Sequence, residues 1–117
     1  MLDDDMYGRH FDDSIGLYAD WRKAGYVWET PYRTLLPEKV NGILAAGRCM
    51  GAVGDAWETF RVIPAAAMTG EAAGAAAALS VQHNCDPKEL DIEILRAELR
   101  KNNFKFHLEE VGLEQRS

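Results

Sequence analysis

Between Ala65 and Ala78, nine of fourteen residues are alanine and two more, Gly70 and Gly74, are glycine. Alanine is the strongest helix former, so the stretch predicts a helix from Ile63 or Pro64 to about Gln82. Pro64 fits the first turn, where a missing N–H breaks no helical bond. The composition constrains packing more than it does local structure. Small residues lie on every side, and a helix that is apolar or small all round is normally buried. Gly70 and Gly74 sit one above the other, each costing roughly 1 kcal/mol relative to alanine in a helix interior. The expectation is a buried helix pressed close to another backbone along that glycine pair.

The rest of the chain has to supply that partner. The segment "YVWETPYR" is aromatic and β-branched and reads as a strand near 26–33, with Pro31 at its end. "GILAA" is a short apolar run at 42–46, expected as a strand buried on both faces, as in a parallel sheet. Asp86, Pro87 and Glu89 suit the N-cap, N1 and N3 positions of a second helix ending near Lys101. In that helix Leu90, Ile94 and Ala97 form one stripe, with Leu95 and Leu99 beside it. Residues 1–25 are polar and weakly patterned, suited to a covering segment in which Ile15, Leu17, Tyr18 and Trp21 form a helical turn or shield an edge. Residues 104–117 read as a tail that frays.

With 117 residues the chain can bury one modest core. A net charge of -6 argues against a general nucleic-acid binder. Cys49 and Cys85 occupy no CxxC or metal spacing, and read as free thiols of a reducing compartment. No uninterrupted apolar stretch is long enough to span a bilayer, and no signal peptide is visible, so a cytoplasmic location is expected. His10, His83 and His107 show no ligand spacing, and no metal site is expected from them.

The N-terminus of the alanine helix is the candidate site. Its free N–H groups and the helix dipole favour an anionic group. Gly47, Gly51 and Gly54 precede it and permit close backbone approach, yet their spacing is neither GxGxxG nor a Walker A pattern. Arg48 and Arg61 are placed either to meet an anion or to form surface ion pairs. Cys49 is either directed at a ligand or a small packed residue. Asp55 and Glu58 read as solvated loop carboxylates, and the three tryptophans as packing residues.

Five ordered motifs carry a resemblance. Pro31-Tyr32-Arg33, Leu35-Leu36-Pro37, Ala46-Gly47-Arg48, Arg61-Val62-Ile63-Pro64 and the Gly70/Gly74 helix follow one another, and "DPKELDIEILRAELRKN" closes the series. Over residues 26–103 the chain resembles the C-terminal FAD-binding segment of FAD-dependent oxidoreductases of the glutathione-reductase-like superfamily. The resemblance implies an α/β fold: a small partial sheet with the Ala/Gly-rich helix buried on it and an amphipathic helix after it, an incomplete piece of a doubly wound, Rossmann-like domain. It implies FAD as cofactor. Gly47, Arg48 and Cys49 would then lie beside the ribityl and pyrophosphate groups. Arg61, Val62, Ile63 and Pro64 would aim the helix start at the pyrimidine edge of the flavin. The sequence contains no GxGxxG, so it reads as the last part of such an enzyme, not expected to catalyse alone. A homodimer, or a separate chain carrying the missing N-terminal half of the FAD domain, is the expected partner. The alternatives are a self-associating module without flavin and a small subunit that completes an FAD site.

Overall fold

A computed structural model describes residues 1–116 as a mixed α/β unit of three α-helices and one two-stranded sheet. Strand β1 (Ser14–Ala19) pairs antiparallel with β2 (Val27–Pro31). The pairing sets Tyr18 opposite Trp28, and an irregularity between Ser14 and Leu17 shifts the register. Helix α1 (Gly54–Phe60), helix α2 (Ile63–Gln82) and helix α3 (Ile92–Arg100) complete the main elements. The core gathers Ile15, Trp28, Leu35, Phe60, Leu95, Leu99 and Phe106 around the inner face of α2.

The sheet differs from the expectation. The strand expected near 26–33 is present as β2, but its neighbour is β1, not the segment at 42–46. Gly16 and the flanking aspartates dilute the strand pattern of β1, which hid it among polar residues. Residues 43–46 run without strand pairing. Ala45 N–H donates to the Leu35 carbonyl at 2.8 Å, and Ile43 is 52% exposed. A parallel partner must be brought in by a crossover; the one parallel contact among the described residues is the isolated bridge between Leu2 and Ala52.

Helix α2 has the expected bounds and a different environment. Ala65, Thr69, Ala72, Ala76 and Leu79 are buried, a single face spaced by four and three residues. The opposite side is open: Ile63 is 84% and Val81 81% exposed, and nothing lies within 4 Å of where a Cβ on Gly70 or Gly74 would stand. The close approach between helix and backbone occurs elsewhere. A Cβ on Gly16 of β1 would stand 2.6 Å from Met68 Sδ, so the strand, not the helix, supplies the glycine that lets the two pack.

The second expected helix is divided. Asp86 caps a short 3-10 turn (Pro87–Glu89), accepting from Lys88 N–H, and Asp91 caps α3, accepting from Glu93 N–H. Leu95 and Leu99 are the side chains of α3 that enter the core, while Ala97 of the expected stripe faces solvent. The tail is also more ordered than its composition suggested. Phe106 and Leu108 are each 1% exposed, and a 3-10 turn spans Leu108–Val111. Ser117, the end of the expected fraying segment, lies outside the described residues. Of the tryptophans, Trp28 is buried but Trp21 is 73% exposed and covers nothing.

The Pro31-Tyr32-Arg33 motif has a structural explanation. Pro31 ends β2, and Tyr32 starts a 3-10 turn (Tyr32–Leu35). The Tyr32 hydroxyl donates to the Pro87 carbonyl at 2.7 Å, tying this turn to the one before α3. Burial pushes the phenol up to about 12, so it remains a donor throughout the neutral range.

Candidate functional site

Helices α1 and α2 meet at an angle of 82°. Arg61 and Val62 form the elbow. Pro64 has no N–H to donate to the carbonyl four residues back, at Phe60, so α1 cannot run on through it; Val62 adopts extended backbone (φ -75°, ψ 157°) and caps a new helix. The elbow turns α1 back over the 3-10 turn Gly47–Cys49, where Trp57 Nε1 reaches the Arg48 carbonyl at 3.5 Å.

That turn rests on the first turns of α2. Gly47 N–H donates to Thr69 Oγ1 at 2.9 Å. Thr69 is buried and also donates back toward the Ala65 and Ala66 carbonyls. Gly47 has φ +62°, a conformation that favours glycine, and a Cβ there would touch the Ala66 Cβ at 3.4 Å. An alanine on α2 and a glycine in the turn are thus matched: both small, because the two backbones meet there.

The fold therefore seats Gly47 against Ala66 and Thr69 in the first turns of α2, although all of α1 lies between them in sequence, while Cys49 lines a cavity with Met1, Arg33 and Leu35. Arg48, Cys49, Arg61, Ile63 and Pro64 are exposed, and Gly47 and Val62 half-buried. Cys49 is accordingly not a packed core thiol. The N-cap residue Val62 offers no side-chain acceptor to the first-turn N–H groups of α2, leaving those donors to solvent or a ligand. Arg61 Nε donates to Glu58 Oε2 at 2.9 Å, and its guanidinium lies over Trp57 at 5.6 Å. Arg48 forms no ion pair among the described residues.

The nearby carboxylates are committed elsewhere. Asp55 pairs with Lys23 at 2.6 Å and with Arg22 at 3.3 Å, and the Lys23 hydrogen bond holds its carboxyl below the usual range. Glu58 pairs with Arg61. A carboxyl held low in this way, as at Asp55, is not the proton donor that general acid catalysis needs near neutral pH.

A family model described as FAD dependent oxidoreductase matches residues 7–99, most of the chain. The chain belongs to this FAD-dependent oxidoreductase family. No curated protein and no solved structure matches it. Within the FAD-dependent oxidoreductase match lie β1, β2, the Gly47 turn, the elbow and nearly all of α3, so membership rests on the whole arrangement. Among the described residues no single helix is long and apolar enough to cross a membrane.

Sequence spacing missed one constellation. His10 and His107, from opposite ends of the chain, stack at 4.3 Å between ring centroids beside the fully buried Glu29. Glu29 comes from β2, where alternation marks its neighbour Trp28 as buried and gives no reason to bury a carboxylate. The signal was absent because its three parts converge through the tertiary fold alone.

Proposed function

We propose that the chain is the C-terminal, flavin-facing part of an FAD-binding domain in a flavin-dependent oxidoreductase, a portion of a doubly wound fold that does not catalyse alone. The observation that carries this reading is the junction of the Gly47 turn with the uncapped start of α2. When bound, FAD supplies the ring that exchanges electrons with a substrate. The chain's own residues bind and orient. The N–H groups at the start of α2 donate to an electron-rich ring edge, with the helix dipole in the same sense. Gly47 lets the turn lie close against the first turns of α2, beside those donors. Arg48 offers a charge-assisted bond to a phosphate or carboxylate.

The other part of the pocket, a GxGxxG turn for the pyrophosphate, is missing from the sequence, so a second chain or another stretch of polypeptide supplies it. The exposed side of α2, with Ile63, Gly70, Gly74 and Val81, is the surface on which such a half, or a second copy in a homodimer, would lie. Its smoothness suits close packing of another layer.

Flavin fluorescence titration tests the reading. The purified chain is expected to be colourless and to quench FMN weakly and saturably, without competition from ADP. Arg48→Ala is expected to weaken that quenching. FAD retained stoichiometrically through purification and displaced by ADP would overturn the partial-site reading. Quenching unchanged in Arg48→Ala would place the flavin elsewhere.

A further inference from the structure

Glu29 has no exposed side-chain surface, and a buried carboxylate needs compensation on every side. It receives three donors. Phe11 N–H reaches Oε1 at 2.8 Å, Leu108 N–H reaches Oε2 at 3.0 Å, and His107 Nδ1 lies 2.9 Å from Oε1. An ionised carboxylate only accepts, so His107 carries its proton on Nδ1. His10 Nδ1 stands 3.9 Å from the same Oε1. Two imidazole nitrogens and one carboxylate oxygen thus converge, all within 4.8 Å of one another.

The outer partners follow the pattern of a metal-ligating histidine. His10 Nε2 lies 2.9 Å from Asp12 Oδ1. Donating Nε2–H to that carboxylate leaves a lone pair on Nδ1, directed at the same corner as Glu29. A carboxylate that fixes the tautomer of a ligating imidazole is the usual companion of a metal-bound histidine. Gln115 Nε2 approaches Nδ1 at 3.1 Å from the tail and donates to it. Gln115 is exposed, so it is free to move aside.

From this convergence we propose a divalent-cation site of the zinc class, ligated by His10 Nδ1, Glu29 and His107 Nδ1, with Asp12 as the orienting carboxylate. Imidazole nitrogen with carboxylate oxygen is a donor set that suits Zn²⁺, and three protein ligands leave a coordination position for water. The cation takes the place of the proton between His107 and Glu29, with His107 then protonated on Nε2 instead, and of the Gln115 amide at His10. Small rotations of the stacked rings bring the nitrogens to the roughly 2 Å that Zn–N bonds require. The ligands come from the loop before β1, from β2 and from the tail, so the ion would clasp the tail onto the sheet. The site is separate from the Gly47 corner and does not depend on the flavin reading.

The test is calorimetric titration of the chelator-treated chain with zinc chloride, paired with thermal melts. One Zn²⁺ per chain is expected, with a higher melting midpoint that EDTA reverses. His10→Phe preserves a ring on His107 but has no nitrogen, and is expected to abolish the binding while melting like the parent without metal. Asp12→Asn, on a fully exposed side chain, is expected to fold normally and to weaken affinity by about tenfold. Absence of binding by the parent chain overturns the site, as does binding that survives both substitutions, which would assign the ion to other residues such as Cys49 or His83.

Discussion

Helices α2 and α3 pack on each other, yet they announce their buried faces very differently. In α3, Leu95 and Leu99 enter the core while Glu93, Glu98 and Arg100 mark the wet side with charge. In α2 the buried side is Ala65, Thr69, Ala72 and Ala76 and the open side is Ala67, Gly70, Gly74 and Ala77. Nothing in size or polarity separates the two. A helix of small residues is legible as a helix and illegible as to which way it faces; packing density, set by its neighbours, makes the choice.

The comparison can be broken most directly at α3. Leu95 is fully buried, and Leu95→Ala is expected to lower unfolding free energy by about 2–5 kcal/mol, read from urea denaturation. A loss below about 1 kcal/mol would mean that α3 contributes little to the shared core. The next effect divides the two sides of α2. Ala72→Leu on the buried side is expected to cost about 1–3 kcal/mol through overpacking. Gly70→Ala on the open side is expected to stabilise by about 0.5–1 kcal/mol, because the added methyl meets no atom and the helix loses a flexible residue. Destabilisation by Gly70→Ala in the isolated chain would show that another surface covers that side.

An effect of similar size concerns the turn that joins β1 to β2. Asp20, whose side chain is 1% exposed, receives Arg22 Nε at 3.0 Å, Nη2 at 3.0 Å and the Arg22 backbone N–H at 2.9 Å. The Arg22 side-chain bond leads in holding its carboxyl below 3.8, against the opposing effect of burial. A depressed carboxyl contributes stability that is complete above its unfolded value and lost as pH falls through the folded one. Asp20→Asn is therefore expected to cost about 1 kcal/mol above about pH 4, the deficit shrinking at lower pH. A deficit independent of pH between 7 and about 3 would remove the ion pair from the explanation.

These contrasts explain what the sequence could reveal. The bounds of α2 were legible because alanine propensity and Pro64 act locally, and family membership was legible because its motifs follow one another in order along the chain. β1 was not, since Gly16 removes the one side chain that would have completed its alternation, and it is there to admit Met68. Helix α1 escaped notice because Asp55, Glu58 and Thr59 break any apolar stripe; its start is held by Asp4, whose Oδ1 accepts from Ala56 N–H at 3.2 Å, a cap supplied from far away in sequence. The Glu29 cluster was hidden for the same reason: distance along the chain carries no information about it.

The tail's seat beside the start of the chain has a kinetic consequence. Arg116 N–H donates to the Gly8 carbonyl at 2.6 Å, and its guanidinium lies 3.8 Å over the Tyr7 ring. Gln115 reaches His10 across 105 positions. Closing a loop of almost the full chain adds little to the equilibrium cost over a shorter loop, about 0.6 kcal/mol per doubling. Its effect falls on the rate, because contacts of such separation form only after much of the chain is ordered. The local helices can assemble early, and the clasp between the two ends closes last. By the same logic it is the unit that opens first and most often, so amide exchange at Leu108 and Arg116 would report a sub-global opening well before the α2–α3 pair lets go.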